Sequence, residues 1–341
     1  MFSRKRIEEL VCCPRCKGAL DFEGLTEYEL GVQQGRLYCS TCERGYLIRD
    51  GIFYMQAPEV TAASKGWDLG SFDELYKAIG NEQSSYEWLA KLGVPMEIAK
   101  YEYQRVKGRM LDWLQLTDDG IVLDVGAGSG YFIFEMMGKC AERDISFVGI
   151  DPSVEHIKWL EYRKRKEKKS SVLTVVGDAQ ALPFRKETFD ILVCSEVLEH
   201  IPSKQEAIAE MARVLKTGGI LLLSTPSKKA LDFWGLITAP LQLILAFRTR
   251  ERSPAYDSPV YSRELMQYLK KAGFSIEDFE LNVIMPPLTY FSHLPKSSGR
   301  IFTAVCGFLE KNLKKPLAPY FALSIVVRSK KTPDGKFSSL S

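Results

Sequence analysis

Val122-Leu123-Asp124-Val125-Gly126-Ala127-Gly128-Ser129-Gly130 is the most informative stretch of the chain. An apolar run enters a glycine-rich turn, which is how a buried strand of a parallel sheet hands the chain to the next helix. Glycines let that turn adopt positive φ and approach a ligand closely. The free N–H groups of a helix N-terminus then suit a carboxylate or phosphate. The spacing is G-x-G-x-G. A dinucleotide fingerprint would need a further glycine where Tyr131 stands, so a nicotinamide or flavin site is not expected.

Working outward, further short apolar runs occupy 147–150, 172–176, 191–194 and 220–224, with helical periodicity at 154–168 and 204–215 between them. Alternation of this kind predicts a doubly wound α/β domain with a mostly parallel sheet. After Pro226 the order changes. Residues 262–272 read as a helix with Ser262 as N-cap, residues 274–283 and 320–327 as two late strands, and residues 229–260 and 285–318 as insertions around them. Ahead of the glycine loop, Phe72, Leu75, Tyr76 and Ile79 recur at helical spacing, as do Val106, Met110, Trp113 and Leu114. The expected parts are 1–58, a cysteine-rich module; 59–117, a helical linker or cap; 118–228, the α/β core; 229–330, the completion of the sheet with its insertions; and 331–341, a tail.

The chain has 341 residues, 45% hydrophobic and 26% charged, ordinary values that exclude a disordered or fibrous protein. Its net charge of +3 is too small for a dedicated polyanion binder. The distribution says more: residues 1–58 are neutral, residues 59–228 carry −4 and residues 229–341 carry +7. The middle suits a cationic ligand, and the last third an anionic surface or substrate. Met1-Phe2-Ser3-Arg4-Lys5-Arg6 lacks the apolar stretch of a signal peptide, so a reducing cytoplasmic setting is expected.

Acids stand at the ends of the later runs. Phe147-Val148-Gly149-Ile150-Asp151 ends in a carboxylate that can accept both hydroxyls of a ribose. The next run ends in Gly177-Asp178-Ala179, and the fourth leads through Cys194-Ser195-Glu196 to Glu199-His200. With these four motifs in order, residues of about 100–330 resemble the class I S-adenosylmethionine-dependent methyltransferases, in particular the branch that includes the ubiquinone and menaquinone methyltransferases. The resemblance implies a seven-stranded, mostly parallel Rossmann-like sheet. It implies that Asp124, Gly126, Ala127 and Gly128 pack on the methionine part of S-adenosylmethionine and that Asp151 binds the ribose. Asp178 with Ala179 would take the adenine, and Ser195 and Glu196 would lie near the methionine end. Asp190 reads as structural. A general base is optional for methyl transfer, and His200 and His293 are the catalytic candidates; His156 reads as structural, and Tyr256 and Tyr261 are weaker candidates.

Cys13-Pro14-Arg15-Cys16 and Cys39-Ser40-Thr41-Cys42 form two C-x₂-C knuckles, the pattern of a tetrahedral, structural Zn²⁺ site with no open position. Cys12 is adjacent and leaves the first ligand ambiguous, with Cys13 favoured; Cys140, Cys194 and Cys306 read as core thiols. Residues 10–55 resemble the zinc-ribbon activator subunit of tRNA, rRNA and release-factor methyltransferases, here fused to the chain and expected to dock on the catalytic domain in cis.

Residues 233–247 hold no charge and are followed by Arg248, Arg250 and Arg252; Ile301, Val305, Phe308 and Leu309 form a second amphipathic stretch, followed by Lys311, Lys314 and Lys315. Both are too short to span a bilayer. They read either as a lid over the substrate or as a peripheral membrane contact. Both readings favour O- or C-methylation of a hydrophobic or lipid-linked acceptor. The rival expectation is an RNA methyltransferase guided by the ribbon; Cys194-Ser195-Glu196-Val197 stands where an Asn-Pro-Pro-Tyr tetrad for base N-methylation would be. The run 163–169 reads as the solvated end of a helix.

Overall fold

The computed structural model describes residues 2–57, 94–114, 119–140, 143–246, 258–284, 299–312 and 316–333. The chain opens with a helix, Arg4–Leu10, whose N-terminus is capped by the Ser3 hydroxyl. Four antiparallel strands follow as a meander: β1 (Asp21–Tyr28), β2 (Gly31–Cys39), β3 (Arg44–Arg49) and β4 (Ile52–Tyr54). The next helix runs from Met96–Tyr103 through a π-helical turn, Gln104–Gly108, into Arg109–Trp113.

The α/β domain is β5 (Asp119–Val125), helix Tyr131–Lys139, β6 (Asp144–Asp151), helix Val154–Lys166, β7 (Val172–Val176), β8 (Phe189–Ser195), helix Lys204–Val214 and β9 (Leu215–Pro226). Helices Lys228–Ala246 and Ser262–Lys271 precede β10 (Phe274–Ile284). Helices Gly299–Asn312 and Ala318–Phe321 precede β11 (Ala322–Lys331). Strands β7-β6-β5-β8-β9 are parallel neighbours, and β11, antiparallel to β9 and β10, lies between them. These seven strands form the mostly parallel sheet expected from the sequence. Both its faces are covered, which is why its strands read as continuous apolar runs. Leu123, Val148, Leu173, Leu192 and Leu221 pack on one face with Ala207, Ile208 and Met211; their neighbours Val122, Phe147, Val172, Ile191 and Leu222 pack on the other with Ile133, Ile157 and Met110.

Strand β7 would be an exposed edge, and such edges are usually blunted or covered. Here β4 pairs parallel to it, Ile52 opposite Thr174 and Tyr54 opposite Val176, so the N-terminal module and the α/β domain share one eleven-stranded sheet. The expected docking in cis is thus a continuous ladder. Side chains weld it further. Lys17 Nζ donates to Glu210 Oε2 at 2.7 Å and to the Leu182 carbonyl at 3.2 Å, while Arg213 holds Glu210 and the Leu182 and Phe184 carbonyls.

Some expectations shift. Helix Ser262–Lys271 starts one residue early, with Tyr261 at the N-cap and no side-chain cap bond. Tyr320 belongs to the short helix Ala318–Phe321, not to β11. The run at 163–169 is only partly solvated: Lys164 is buried, and the Arg163 guanidinium stacks 4.4 Å from the Tyr131 ring and 4.5 Å from the Phe134 ring. The stretch around Phe72–Ile79 lies outside the described residues. Among the described residues, no helix is long and apolar enough to cross a membrane.

Candidate active site and metal centre

The carboxyl ends of the parallel strands β5, β6, β7 and β8 lie along one edge of the sheet, where open α/β sheets bind ligands. At the end of β5 the backbone turns through Gly126 (φ 73) and Gly130 (φ 81). A Cβ on Gly126 would fall on the Val197 side chain, and one on Gly130 on Leu160, so only glycine fits either place. The Gly126 and Ala127 N–H groups donate to the Ile150 carbonyl at 2.8 and 3.1 Å, which ties the loop to β6. Asp190 braces the base of β5 as expected: Oδ2 accepts from Ile121 N–H and Oδ1 from Lys216 Nζ.

Asp151 is buried at the tip of β6. It accepts from Gly128 N–H at 3.0 Å and from Ser153 N–H at 2.9 Å, so the glycine loop and the second motif meet at one carboxylate. His156 Nδ1 lies 3.3 Å from Asp151 Oδ1, which places this histidine behind the site although the sequence suggested no such neighbour. Asp178 caps the turn Ala179–Ala181, accepting from Gln180 N–H at 2.7 Å. Ser195 shares a 3.1 Å hydrogen bond with Ser224. Glu196, next along, is held at φ 55, a left-handed conformation that costs a non-glycine residue energy and clusters at functional sites. Its N–H donates to the Ser224 carbonyl at 3.0 Å.

Sequence reasoning missed two charged neighbours of Asp124 and Glu196, Glu102 and Lys107. Five positions apart, they would point to different sides of an α-helix; the π turn Gln104–Gly108 lets both serve one site. Lys107 lies in the fields of Asp124, Glu102 and Glu196, with its ammonium 5.4 Å from the Phe132 ring centroid. Burial pulls the lysine below its usual range, and the three acids oppose that. Burial pushes Asp124 up to about 7, with Lys107 opposing and Asp151 reinforcing. It pushes Glu102 up to about 8, with Glu196 adding to the shift. Asp124 and Glu102 thus keep their protons up to about neutral pH, and as they ionise beside Glu196 they can offset Lys107 and a further positive charge.

His200 ends the turn Leu198–His200, with Nε2 3.8 Å from Glu199 Oε1. Glu199 is buried and accepts from Thr225 Oγ1 at 3.1 Å; burial, then Glu196, push it up to about 8. Tyr261 donates its hydroxyl proton to Asp232 at 2.8 Å. His293 and Tyr256 lie outside the described residues.

The two knuckles converge. The sulfur atoms of Cys13, Cys16, Cys39 and Cys42 all lie within 4.8 Å of one another, with Cys16–Cys39 at 3.5 Å and Cys13–Cys42 at 3.9 Å. Tetrahedral thiolates about 2.3 Å from Zn²⁺ would sit roughly 3.8 Å apart, so the donor set fits that ion. Burial disfavours the Cys13 thiolate, but the Cys16 and Arg15 N–H groups and the Tyr46 hydroxyl, 3.3 Å away, bring it down to about 7. Cys12 is outside the cluster, buried with its N–H on the Pro183 carbonyl, which resolves the ambiguity at the first knuckle. Cys140, Cys194 and Cys306 are buried thiols apart from it.

Residues 123–223 match the model of a methyltransferase domain, and residues 4–51 that of a Trm112p-like protein. The chain is 34% identical over 121 residues to a ubiquinone/menaquinone biosynthesis C-methyltransferase of Ruegeria sp. (strain TM1040), a match covering 34% of this chain and 46% of the relative. It is 27% identical over 228 residues to the 27-O-demethylrifamycin SV methyltransferase of Amycolatopsis mediterranei, covering 66% and 78%. An uncharacterized 37.1 kDa protein in transposon TN4556 of Streptomyces fradiae is 28% identical over 173 residues, covering 50% and 48%. This chain spans about half the length of several of the curated relatives it matches. Among solved structures, a Haloferax volcanii complex containing the Trm112 methyltransferase activator aligns at 15% identity, 70% of this chain and 96% of that one, with a TM-score of 0.46. The chain thus carries a region that matches a methyltransferase domain behind one that matches a Trm112p-like protein.

Proposed function

We propose that this chain is an S-adenosylmethionine-dependent methyltransferase that transfers a methyl group in line to an oxygen or carbon of a hydrophobic or lipid-linked small molecule. The observation that carries the reading is the meeting of the glycine loop with Asp151 through Gly128 N–H, beside the charge cluster of Asp124, Glu102, Lys107 and Glu196. Asp151 would hold the ribose hydroxyls, Asp178 and Ala179 the adenine, and Gly126, Ala127 and Gly128 the backbone side of the methionine portion. Asp124, Ser195 and Glu196 would face its amino and sulfonium charges, and Lys107 its carboxylate.

The bound cofactor supplies an already activated methyl group. The chain's own residues then align the acceptor and exclude water, and alignment alone is worth roughly 7–11 kcal/mol. Where the acceptor is a hydroxyl or carbon acid, removing its proton adds about 10²–10⁴-fold. His200, whose Nε2 lies 3.8 Å from Glu199 Oε1, would take that proton. Cys13, Cys16, Cys39 and Cys42 would hold a structural Zn²⁺, since four thiolates leave no position for substrate.

Two features support a hydrophobic acceptor over RNA. The matched relatives include enzymes named for a quinone C-methylation and a rifamycin O-methylation. The N-terminal module is neutral in net charge, without the basic surplus that phosphate contacts require. Incubation with methyl-labelled cofactor and either lipid extract or total RNA tests this. Label in the organic phase is expected; label confined to RNA would assign the chain to the RNA enzymes.

A further inference from the structure

Helix Gly299–Asn312 carries two apolar stripes where a surface helix ordinarily has one. The inward stripe is accounted for. Cys306 is buried, Phe302 packs against the core, and Glu310 turns inward to accept the Val283 and Ile284 N–H groups at 3.1 and 3.3 Å while pairing with Arg105. The outward stripe is Ile301, Val305, Phe308 and Leu309, at 74, 50, 65 and 41% exposure. Exposed Arg300 and Lys311 flank it. Leu317 and Tyr320 follow in the chain, also exposed, and the Phe233 ring stacks 5.7 Å from Tyr320, which brings helix Lys228–Ala246, with its exposed Leu236 and Ile237, beside them.

Charge selects the occupant. Between residues 281 and 333 the sequence holds eight basic side chains and one acid, Glu310, which faces the interior. On the helix itself the exposed charges are Arg300, whose Nε lies 3.9 Å from Glu97 Oε1, and Lys311, and an apolar stripe with basic ends complements an anionic bilayer, where the rings and aliphatic chains enter the acyl boundary and the cations meet headgroups. We propose that the outward stripe of helix Gly299–Asn312 docks this protein on anionic lipid. Exposure and charge alone carry this docking, independently of the acceptor proposed above; a protein so docked would meet a lipid-linked acceptor where that molecule resides.

The full chain is sedimented with vesicles of phosphatidylcholine plus phosphatidylglycerol, and with phosphatidylcholine alone. Binding is expected to the anionic vesicles, weakening at high salt. The double substitution Ile301→Asp with Phe308→Asp should weaken it at least about tenfold. Both side chains are exposed, so its thermal midpoint should match the parent's. The proposal is overturned if the parent pellets with neither vesicle, or if the double variant binds as the parent does. It is equally overturned if light scattering shows a parent dimer that the double substitution dissociates, which would assign the face to a second copy.

Discussion

Glu161 is buried at 3% exposure where the N-terminal module meets the α/β domain, and it serves three donors: Lys164 Nζ at 3.1 Å, Arg165 Nε at 3.0 Å and Thr174 Oγ1 at 2.8 Å. Lys164, at 2% exposure, is held by that carboxylate, and burial already pulls its ammonium below the usual range. Arg165 reaches across to Gln33 Oε1 at 2.6 Å and the Asp50 carbonyl at 2.5 Å, so the same acid organises the seam. Glu161→Gln keeps the shape and removes the charge, leaving Lys164 to stay buried unpaired or to lose its proton. Breaking one side of a buried pair costs about 3–5 kcal/mol. At roughly 2–4 °C per kcal/mol for a domain of this size, the thermal midpoint should fall by about 6–20 °C. Calorimetry or circular dichroism reads this directly. The substitution Glu161→Met with Lys164→Met should recover most of the loss, because the uncompensated charge goes with its partner. A fall below about 1 kcal/mol for Glu161→Gln, or a double variant as unstable as the single one, would refute the reasoning.

Gly126→Ala should abolish measurable cofactor binding by equilibrium dialysis while leaving a folded chain, because its Cβ meets Val197 and the backbone sits at φ 73. Binding of the cofactor analogue S-adenosylhomocysteine should tighten as pH rises to about 7 and then level off: Asp124 holds its proton up to about 7, and its carboxylate is the form that attracts the ligand's ammonium. Calorimetry in buffers of different ionisation enthalpy should show proton release below that pH, and Asp124→Asn should flatten the profile. The same raised group, protonated in the fold but ionised in the unfolded chain between about 4 and 7, lowers stability as pH rises through that window. Elemental analysis should find one zinc per chain, and a strong chelator or Cys16→Ser should lower the thermal midpoint, since the cluster closes the module's loops.

The sheet was legible because burial on both faces writes continuous apolar runs such as 122–125 and 191–194, and the glycine loop because backbone geometry forces its composition. The knuckles were legible from spacing alone. What the sequence hid depends on distant partners. The pairing of β4 with β7 joins three residues to a strand over a hundred positions away and leaves no local period. Nothing in the spacing of Glu102 and Lys107 announces a π turn, so the sequence does not bring them together. Lys164 sits in a run that reads as solvated, and its burial follows from the acid one helical turn earlier. The apolar stripe on 301–309 was visible, but its outward direction required the inward role of Cys306 and Glu310.

Titration calorimetry of the full chain with S-adenosylhomocysteine, parent against Asp151→Asn, bears most directly on the claim that the glycine loop and Asp151 form a cofactor site. The account predicts one equivalent bound by the parent, and an affinity about 10- to 100-fold weaker once the charged acceptor is lost. A parent that takes up none of the ligand, or a variant that binds it as tightly, would contradict the account.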